Sequence, residues 1–114
     1  MTAADYNITC EQGSTFSKTL TIKDASGVAR NLSTYTARMQ VRPDVESSTK
    51  LLDLTSGSGD ITLNSSGVVV ISVTATNTAA LSQGGVYDLE IIDGSGIVER
   101  VIQGNFVLSK EVTR

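Results

Sequence analysis

Short runs of alternating apolar and polar residues are the feature of this sequence that most restricts its fold. In 35–42, Tyr, Ala, Met and Val occupy the odd positions, and Thr, Arg, Gln and Arg occupy the even ones. In 16–23, Phe16, Leu20 and Ile22 share one parity. A period of two is expected of a β-strand with one buried face. The run 35–42 stops at Pro43, the only proline, which has no N–H to continue a strand ladder.

Clusters of Gly, Ser, Asp and Asn separate these runs from others of similar length. They predict turns, because their side chains accept backbone hydrogen bonds and glycine adopts positive φ. The segment 76–81 favours one helical turn capped by Thr76 or Asn77, and Gly84-Gly85 prevents a longer helix. Roughly seven or eight strands at intervals near ten residues predict an all-β sandwich or small barrel. The further predicted strands are 6–11, 50–54, 61–63, 68–74, 87–91 and 97–108.

Three local features refine this prediction. Val68 and Val70 point away from the apolar face of their strand, which suggests a second covered surface. The strand 97–108 does not keep one alternation, and Gly104 is where a β-bulge would re-aim it. Tyr87 follows a corner at 81–85 and is similar to the tyrosine corner of immunoglobulin-like sandwiches, whose hydroxyl bonds to upstream backbone. A strand tyrosine with a solvated hydroxyl is the alternative.

Size and charge set the outer limits on partners and location. The 114 residues are predicted to form a single domain, 1–114, with flexible or partner-bound tails at about 1–5 and 110–114. The net charge is −3 and the nine Lys and Arg residues are scattered, which argues against nucleic-acid binding. The longest apolar run, 68–71, is far shorter than a membrane helix, so no membrane partner is expected. One unpaired cysteine fits synthesis in a cytosol.

The lack of any histidine, together with a single cysteine, Cys10, argues against an enzyme. It removes the usual general base, the commonest metal ligand, the Cys–His dyad and an intrachain disulfide. Asp88 and Glu90 share the outward face of a strand, about 7 Å apart, and are predicted to be solvated. The aspartates in turns lack the dense spacing of a calcium loop. We therefore expect no catalytic residues, no metal site and no cofactor.

The order of several segments along the chain resembles small virion-associated proteins of tailed bacteriophages. These segments are Cys10-Glu-Gln-Gly-Ser-Thr-Phe16, Asn31-Leu-Ser-Thr-Tyr-Thr-Ala-Arg-Met-Gln-Val-Arg42, Ala79-Ala-Leu-Ser-Gln-Gly-Gly-Val-Tyr-Asp-Leu-Glu-Ile91, Gln103-Gly-Asn-Phe106 and Ser109-Lys-Glu-Val-Thr-Arg114. The chain also resembles the immunoglobulin-like N-terminal domain of phage baseplate upper proteins, although it lacks the coiled-coil portion of that family. The resemblance implies an immunoglobulin-like antiparallel β-sandwich without catalytic residues.

The resemblance also implies a function. It indicates a virion structural protein made in the host cytoplasm, present in multiple copies and bound to other tail, baseplate, fibre or capsid subunits. The leading expectation is an adaptor that joins a tail fibre or tailspike to the tail or baseplate, and a capsid decoration protein is the alternative. A carbohydrate-binding module is a lesser alternative, because the chain has three Tyr, two Phe and no Trp to stack on sugars.

Partner contacts are predicted at the two termini and on one strand face. Termini and strand edges offer unpaired backbone groups, and Arg38 and Arg42 share the outward side of one strand. The alternative for these two arginines is a solvated face. The predicted contact residues are Thr2, Ala3, Ala4, Asp5, Tyr6, Arg38, Arg42, Lys110, Glu111, Val112, Thr113 and Arg114.

Overall fold

The computed structural model describes residues 3–113, and most of this span lies in strands. The predicted alternating runs all form strands, with small shifts at their ends. One short helix follows the seventh strand. Its N-cap is Thr74, whose side chain accepts a hydrogen bond from the Asn77 amide; this is two residues before the predicted cap at Thr76. The elements are β1 (Ala4–Asp5), β2 (Ile8–Glu11), β3 (Phe16–Thr21), β4 (Thr36–Arg42), β5 (Leu52–Thr55), β6 (Ile61–Leu63), β7 (Val68–Val73), α1 (Ala75–Ala79), β8 (Gly85–Ile92) and β9 (Val98–Ser109).

The strands form two sheets. The larger has the order β1-β9-β8-β4-β5, with β2 also paired to β9, and the smaller has the order β3-β7-β6. This arrangement is an immunoglobulin-like β-sandwich, as expected. Two details differ from the expectation. The described chain has nine strand segments, because the N-terminal run is interrupted at 6–7, and the sandwich is not wholly antiparallel, because β1 and β2 both run parallel to β9.

The core lies between the sheets and consists mainly of aliphatic side chains. Val41, Leu89 and Ile91 of the larger sheet and Val69 and Ile71 of the smaller one are completely buried. Each such side chain contributes about 1.5–3 kcal/mol relative to an exposed position. Many small contributions of this kind stabilise the sandwich without tryptophan or disulfide.

Cys10 lies in the core without forming a disulfide. Cys10 is free and fully buried on β2. Burial first, and the nearby Glu11 carboxylate second, raise the pKa of its thiol. The residue therefore behaves as a small packed apolar side chain, as the sequence suggested.

Tyr87, Tyr6 and Gly104 join the N-terminal segment to the larger sheet. The Tyr87 side chain is buried, and its hydroxyl donates to the Tyr6 carbonyl, so the solvated alternative is wrong. The acceptor is upstream backbone, but it lies 81 positions away rather than within a local corner. Tyr87 pairs with Gly104 across the hairpin, and a Cβ at Gly104 would lie 2.3 Å from the Tyr6 carbonyl oxygen. The absence of a side chain at Gly104 leaves room for this contact.

The bulge predicted at Gly104 lies elsewhere in β9. Leu89 pairs with Ile102, but the next residue, Glu90, pairs with Arg100. Val101 is therefore the extra residue, and its side chain is buried. This local irregularity explains why the alternation of 97–108 could not be assigned to one face.

Three turns of identical construction close one end of the sandwich, which we call the tip. They are 24–28, 64–68 and 93–97, and each begins with Asp or Asn and has glycine at the fourth position. In each turn, the side-chain oxygen of the first residue accepts hydrogen bonds from the backbone amides two and four residues later, at 2.8–3.1 Å. The glycines have φ between 77° and 85°. The predicted turns are confirmed, and they share one mechanism.

The tip also contains the most protected ion pair of the described residues. Arg30 donates two hydrogen bonds to the Glu99 carboxylate, at 3.0 and 3.1 Å, and a third to the Tyr35 hydroxyl. These bonds, first from Glu99 and then from Tyr35, raise the pKa of Arg30. The pair connects the segment after β3 to the start of β9.

Val68 and Val70 suggested a second covered surface on the outer side of their strand. Their partial burial has a simpler cause, which is contact with neighbouring side chains of the same sheet. Both lie on the outer face of the smaller sheet and are half-buried. Val70 pairs with Thr19 on one side and Thr62 on the other. Cross-strand neighbours at this spacing cover much of a strand side chain.

Candidate docking surface

The outward side chains of four adjacent strands form a charged face on the larger sheet, which we call the outer sheet face. Strand alternation places them there, since their neighbours in sequence fill the core. They line an open depression of about 580 Å³. Arg38 and Arg42 come from β4, Asp88 and Glu90 from β8, Arg100 with Gln103 and Asn105 from β9, and Asp5 from β1.

Two ion pairs cross between neighbouring strands on this face. Arg38 Nε lies 2.7 Å from the Glu90 carboxylate, and Arg100 Nε lies 3.4 Å from that of Asp88. About half of each arginine side chain is exposed. Pairs with this exposure are worth about 0.2–1 kcal/mol each. Their main effect is to hold the charged groups in fixed positions on the sheet.

Arg42 differs from the other two arginines of the outer sheet face. Its guanidinium donates to the Ser47 carbonyl at 2.8 Å and to the Gln40 side-chain oxygen at 2.7 Å. Both acceptors are neutral, and no carboxylate of the described residues forms an ion pair with Arg42. Val45, which is 83% exposed, lines the same depression. The positive charge of Arg42 is therefore held in place by neutral groups.

The acidic residues of the outer sheet face differ from one another in burial and in their hydrogen-bond partners. Burial, followed by the Glu90 carboxylate, raises the pKa of Asp88, and Arg100, Arg38 and Arg42 oppose this increase. Asp5 accepts from Gln103 Nε2 at 3.2 Å, and Arg100 donates to the Gln103 side-chain oxygen at 3.0 Å. One ion pair and two hydrogen bonds thus connect Asp88 of β8, through Arg100 and Gln103 of β9, to Asp5 of β1.

Among the predicted N-terminal contact residues, Ala4, Asp5 and Tyr6 are held by the chain itself. Ala4 and Asp5 pair with Ile102 and Gln103 in strand β1, so this part of the predicted tail 1–5 is built into the sheet. Ala3 is half-buried. Thr2 lies outside the described residues. Asp5 is the member of this group that reaches the outer sheet face with Arg38 and Arg42.

Tyr6 contributes to a different surface, the seam between the two sheets. Lys18 Nζ lies 4.5 Å from the centre of the Tyr6 ring and donates to its hydroxyl. Both residues line a second depression of about 400 Å³ between β2 and β3. These two strands form neighbouring sheet edges, and the lysine, on the inward parity of β3, lies between them.

The described C-terminal contact residues, 110–113, lie beyond the end of β9, away from the outer sheet face. The Glu111 amide donates to the Gln12 side-chain oxygen at 2.9 Å, and Gln12 donates in turn to the Leu81 carbonyl at 2.7 Å. Lys110, Val112 and Thr113 are exposed. Arg114 lies outside the described residues. The structure thus brings together three of the predicted contact residues, Asp5, Arg38 and Arg42, and leaves the C-terminal group separate.

Arg100, Gln103 and Asn105 belong to this face but were not predicted from the sequence. Asp88 and Glu90 were predicted as outward charges, but no local pattern placed them beside Arg38. The register between strands decides which side chains are neighbours on the face, and the bulge at Val101 shifts the register of β9 against β8. The parity of β9 alone would have given the wrong face for either Arg100 or Gln103.

Neither a metal-binding cluster nor a membrane-spanning helix occurs within residues 3–113. No group of three or more His, Cys, Asp or Glu residues there could hold a metal ion. The one described helix, α1, is too short to cross a membrane.

Comparisons with known proteins concern the fold alone. The sequence matches no protein family and no curated protein. Among solved structures, the chain is similar to the extracellular domain of the voltage-gated sodium channel β4 subunit, which was solved as parallel homodimers. The sequence identity is 13%, coverage is 98% of this chain and 97% of the other, and the TM-score is 0.47. It is also similar to the first Ig-like domain of human CD48 antigen, with 15% identity, coverage of 95% and 84%, and a TM-score of 0.41.

Proposed function

We propose that this chain is a non-enzymatic structural protein of a tailed-bacteriophage virion, an adaptor that joins a tail fibre or tailspike to the tail or baseplate. The resemblance of its sequence to virion-associated phage proteins supports this assignment. Its partners are other virion proteins, to which it presents the outer sheet face.

The observation that carries the docking role is the gathering of Asp5, Arg38 and Arg42 on one face of paired strands. Each of these residues lies in a strand that is hydrogen-bonded to a neighbour. Side chains on regular strands are positioned more rigidly than those on loops, so less conformational freedom is lost on binding. Such a face suits a contact between subunits of a particle.

The mixture of charges on the face favours selective contacts. Complementary charges on two surfaces steer their encounter and exclude wrong partners, because like charges brought together are costly. Arg42 supplies a positive charge whose hydrogen bonds all go to neutral acceptors, and the exposed Val45, which lines the same depression, supplies apolar surface. A matching partner surface would carry a carboxylate next to an apolar side chain.

Localisation in purified particles of the encoding phage tests the function. We expect mass spectrometry to detect the chain in stoichiometric amounts and cryo-electron microscopy to place its density between tail and fibre. Density on the icosahedral shell would instead identify a decoration protein. Absence of the chain from purified particles, or binding to a glycan array, would contradict the adaptor role.

A further inference from the structure

The charges of the outer sheet face alternate in sign from strand to strand. Across the order β4-β8-β9-β1, Arg38 and Arg42 are positive, Asp88 and Glu90 negative, Arg100 positive and Asp5 negative. The next strand, β5, adds little charge, because Asp53 is paired with Lys50 at 3.3 Å. The face therefore carries three positive and three negative groups in a regular order.

This order is antisymmetric about the line between β8 and β9. The strands on either side of that line, β8 and β9, have opposite signs, and so do the outer strands, β4 and β1. Consider a second copy related to the first by a two-fold axis that runs parallel to the strands, above the line between β8 and β9. Its β1 would lie over β4 of the first copy, and its β9 over β8 of the first copy. Every positive strand would then face a negative one, as an isologous interface requires.

From this pattern we infer that the outer sheet face binds the same face of a second copy of this chain. The register places Asp5 of each copy opposite Gln40 of the other, where the Arg42 guanidinium is hydrogen-bonded to Gln40 and can reach the carboxylate. It places Arg100 of each copy opposite Glu90 of the other. Stacked sheets lie about 10 Å apart, a gap that an arginine and a carboxylate side chain can bridge.

Arg42 and Asp5 are the residues on which this inference depends most. Arg38 and Arg100 are already paired with carboxylates of β8 within the chain. Arg42 has only neutral acceptors, and Asp5 accepts from a neutral amide. These two groups therefore gain an opposite charge on association, whereas the others exchange or share one. Gln40 and Ser47 already hold the Arg42 guanidinium in place.

The contact is weak in free solution. Four strands spaced about 4.8 Å apart and about 20 Å long cover about 400 Å², less than the roughly 800 Å² per partner of a stable complex. Each copy also carries a net charge of −3. We expect dissociation constants on the order of 0.1–1 mM. Copies held side by side in a particle have millimolar effective concentrations, at which such a contact is occupied. The inference rests on the proposed docking role of the face and names its occupant.

A charge swap tests the contact, with association measured by sedimentation equilibrium up to about 1 mM protein. Arg42→Glu alone sets the new carboxylate against Asp5 at both contacts, and Asp5→Lys alone sets the new ammonium group against Arg42. Each is expected to lower the association constant at least about tenfold. An equimolar mixture of the two variants should associate by pairing one with the other, because two groups of opposite charge then meet at each contact. The double variant, whose net charge is unchanged, should also recover association.

Lys23→Glu changes the net charge as much as Arg42→Glu does, at an exposed position near the tip, and should leave association unchanged. Circular dichroism of every variant confirms the fold. An unmodified chain that stays monomeric throughout, or a double variant that fails to regain association, would overturn the self-contact. Either result would leave the virion assignment to be decided by localisation in particles.

Discussion

Removing the hydroxyl of Tyr87 gives a test with two separate readouts. The hydroxyl donates to the Tyr6 carbonyl between β1 and β2, and the Tyr87 side chain is only 4% exposed. Tyr87→Phe leaves that carbonyl without this donor, at a cost of about 1–2 kcal/mol at neutral pH. For a chain of this length, the melting temperature should fall by about 4 °C for each kcal/mol lost.

The same substitution has a different effect at alkaline pH. Burial first, and the nearby Tyr6 second, raise the pKa of Tyr87 to about 12, whereas the unfolded value is about 10. Below about pH 10 the hydroxyl is protonated in both states, so its ionisation does not affect stability. Between about pH 10 and 12 the unfolded chain releases this proton and the folded chain retains it, so stability falls as the pH rises.

The magnitude follows from these two pKa values. At about pH 11 the ionisation of Tyr87 in the unfolded chain lowers the free energy of unfolding by about 1.4 kcal/mol. Tyr87→Phe has no such loss, so its deficit of about 1–2 kcal/mol at neutral pH should nearly vanish at about pH 11.

Urea unfolding followed by circular dichroism at both pH values measures the difference. The other two tyrosines are present in both proteins, so the difference between the two proteins isolates Tyr87. A deficit of equal size at the two pH values would refute the assignment of Tyr87 as a buried, hydrogen-bonded hydroxyl. A variant as stable as the unmodified chain at neutral pH would refute the hydrogen bond to Tyr6.

Three other predictions concern named contacts. Gly104→Ala should lower the free energy of unfolding by about 2–3 kcal/mol, because its Cβ would lie 2.3 Å from the Tyr6 carbonyl oxygen; Gly94→Ala, which has no atom within 4 Å of the added Cβ, is the control in the same urea titration. Glu99→Gln should lower the free energy of unfolding by about 1–2 kcal/mol, because the Arg30 and Glu99 side chains are only 19% and 24% exposed. Glu90→Gln should lower it by less than about 0.5 kcal/mol, because half of its partner Arg38 is exposed. Equal losses of stability in thermal unfolding would contradict this difference. Lys18→Val should promote association through the β3 edge, since an inward-pointing lysine on an edge strand opposes pairing with another chain; size-exclusion chromatography that shows no larger species at high concentration would count against a protective role.

Local sequence patterns determined the strands and turns of this protein. The alternation in 35–42 predicts β4 because a strand with one buried face requires apolar side chains at every second position. The turns at Asp24, Asn64 and Asp93 were predictable for a similar reason, since the hydrogen bonds that form them lie within five consecutive residues. The sandwich fold follows from many such short strands, which must bury their apolar faces against each other.

Tertiary structure alone decided which residues meet across the sheets. The parallel pairing of β1 with β9 brings Asp5 beside Gln103, 98 positions away, and no local pattern encodes that choice. The extra residue at Val101 changes which side of β9 faces solvent, so Arg100 joins the outer sheet face only because of this register shift. The reason is physical: a hydrogen-bond ladder has the same backbone chemistry at every register, and register is fixed only when all side chains of the two layers pack together.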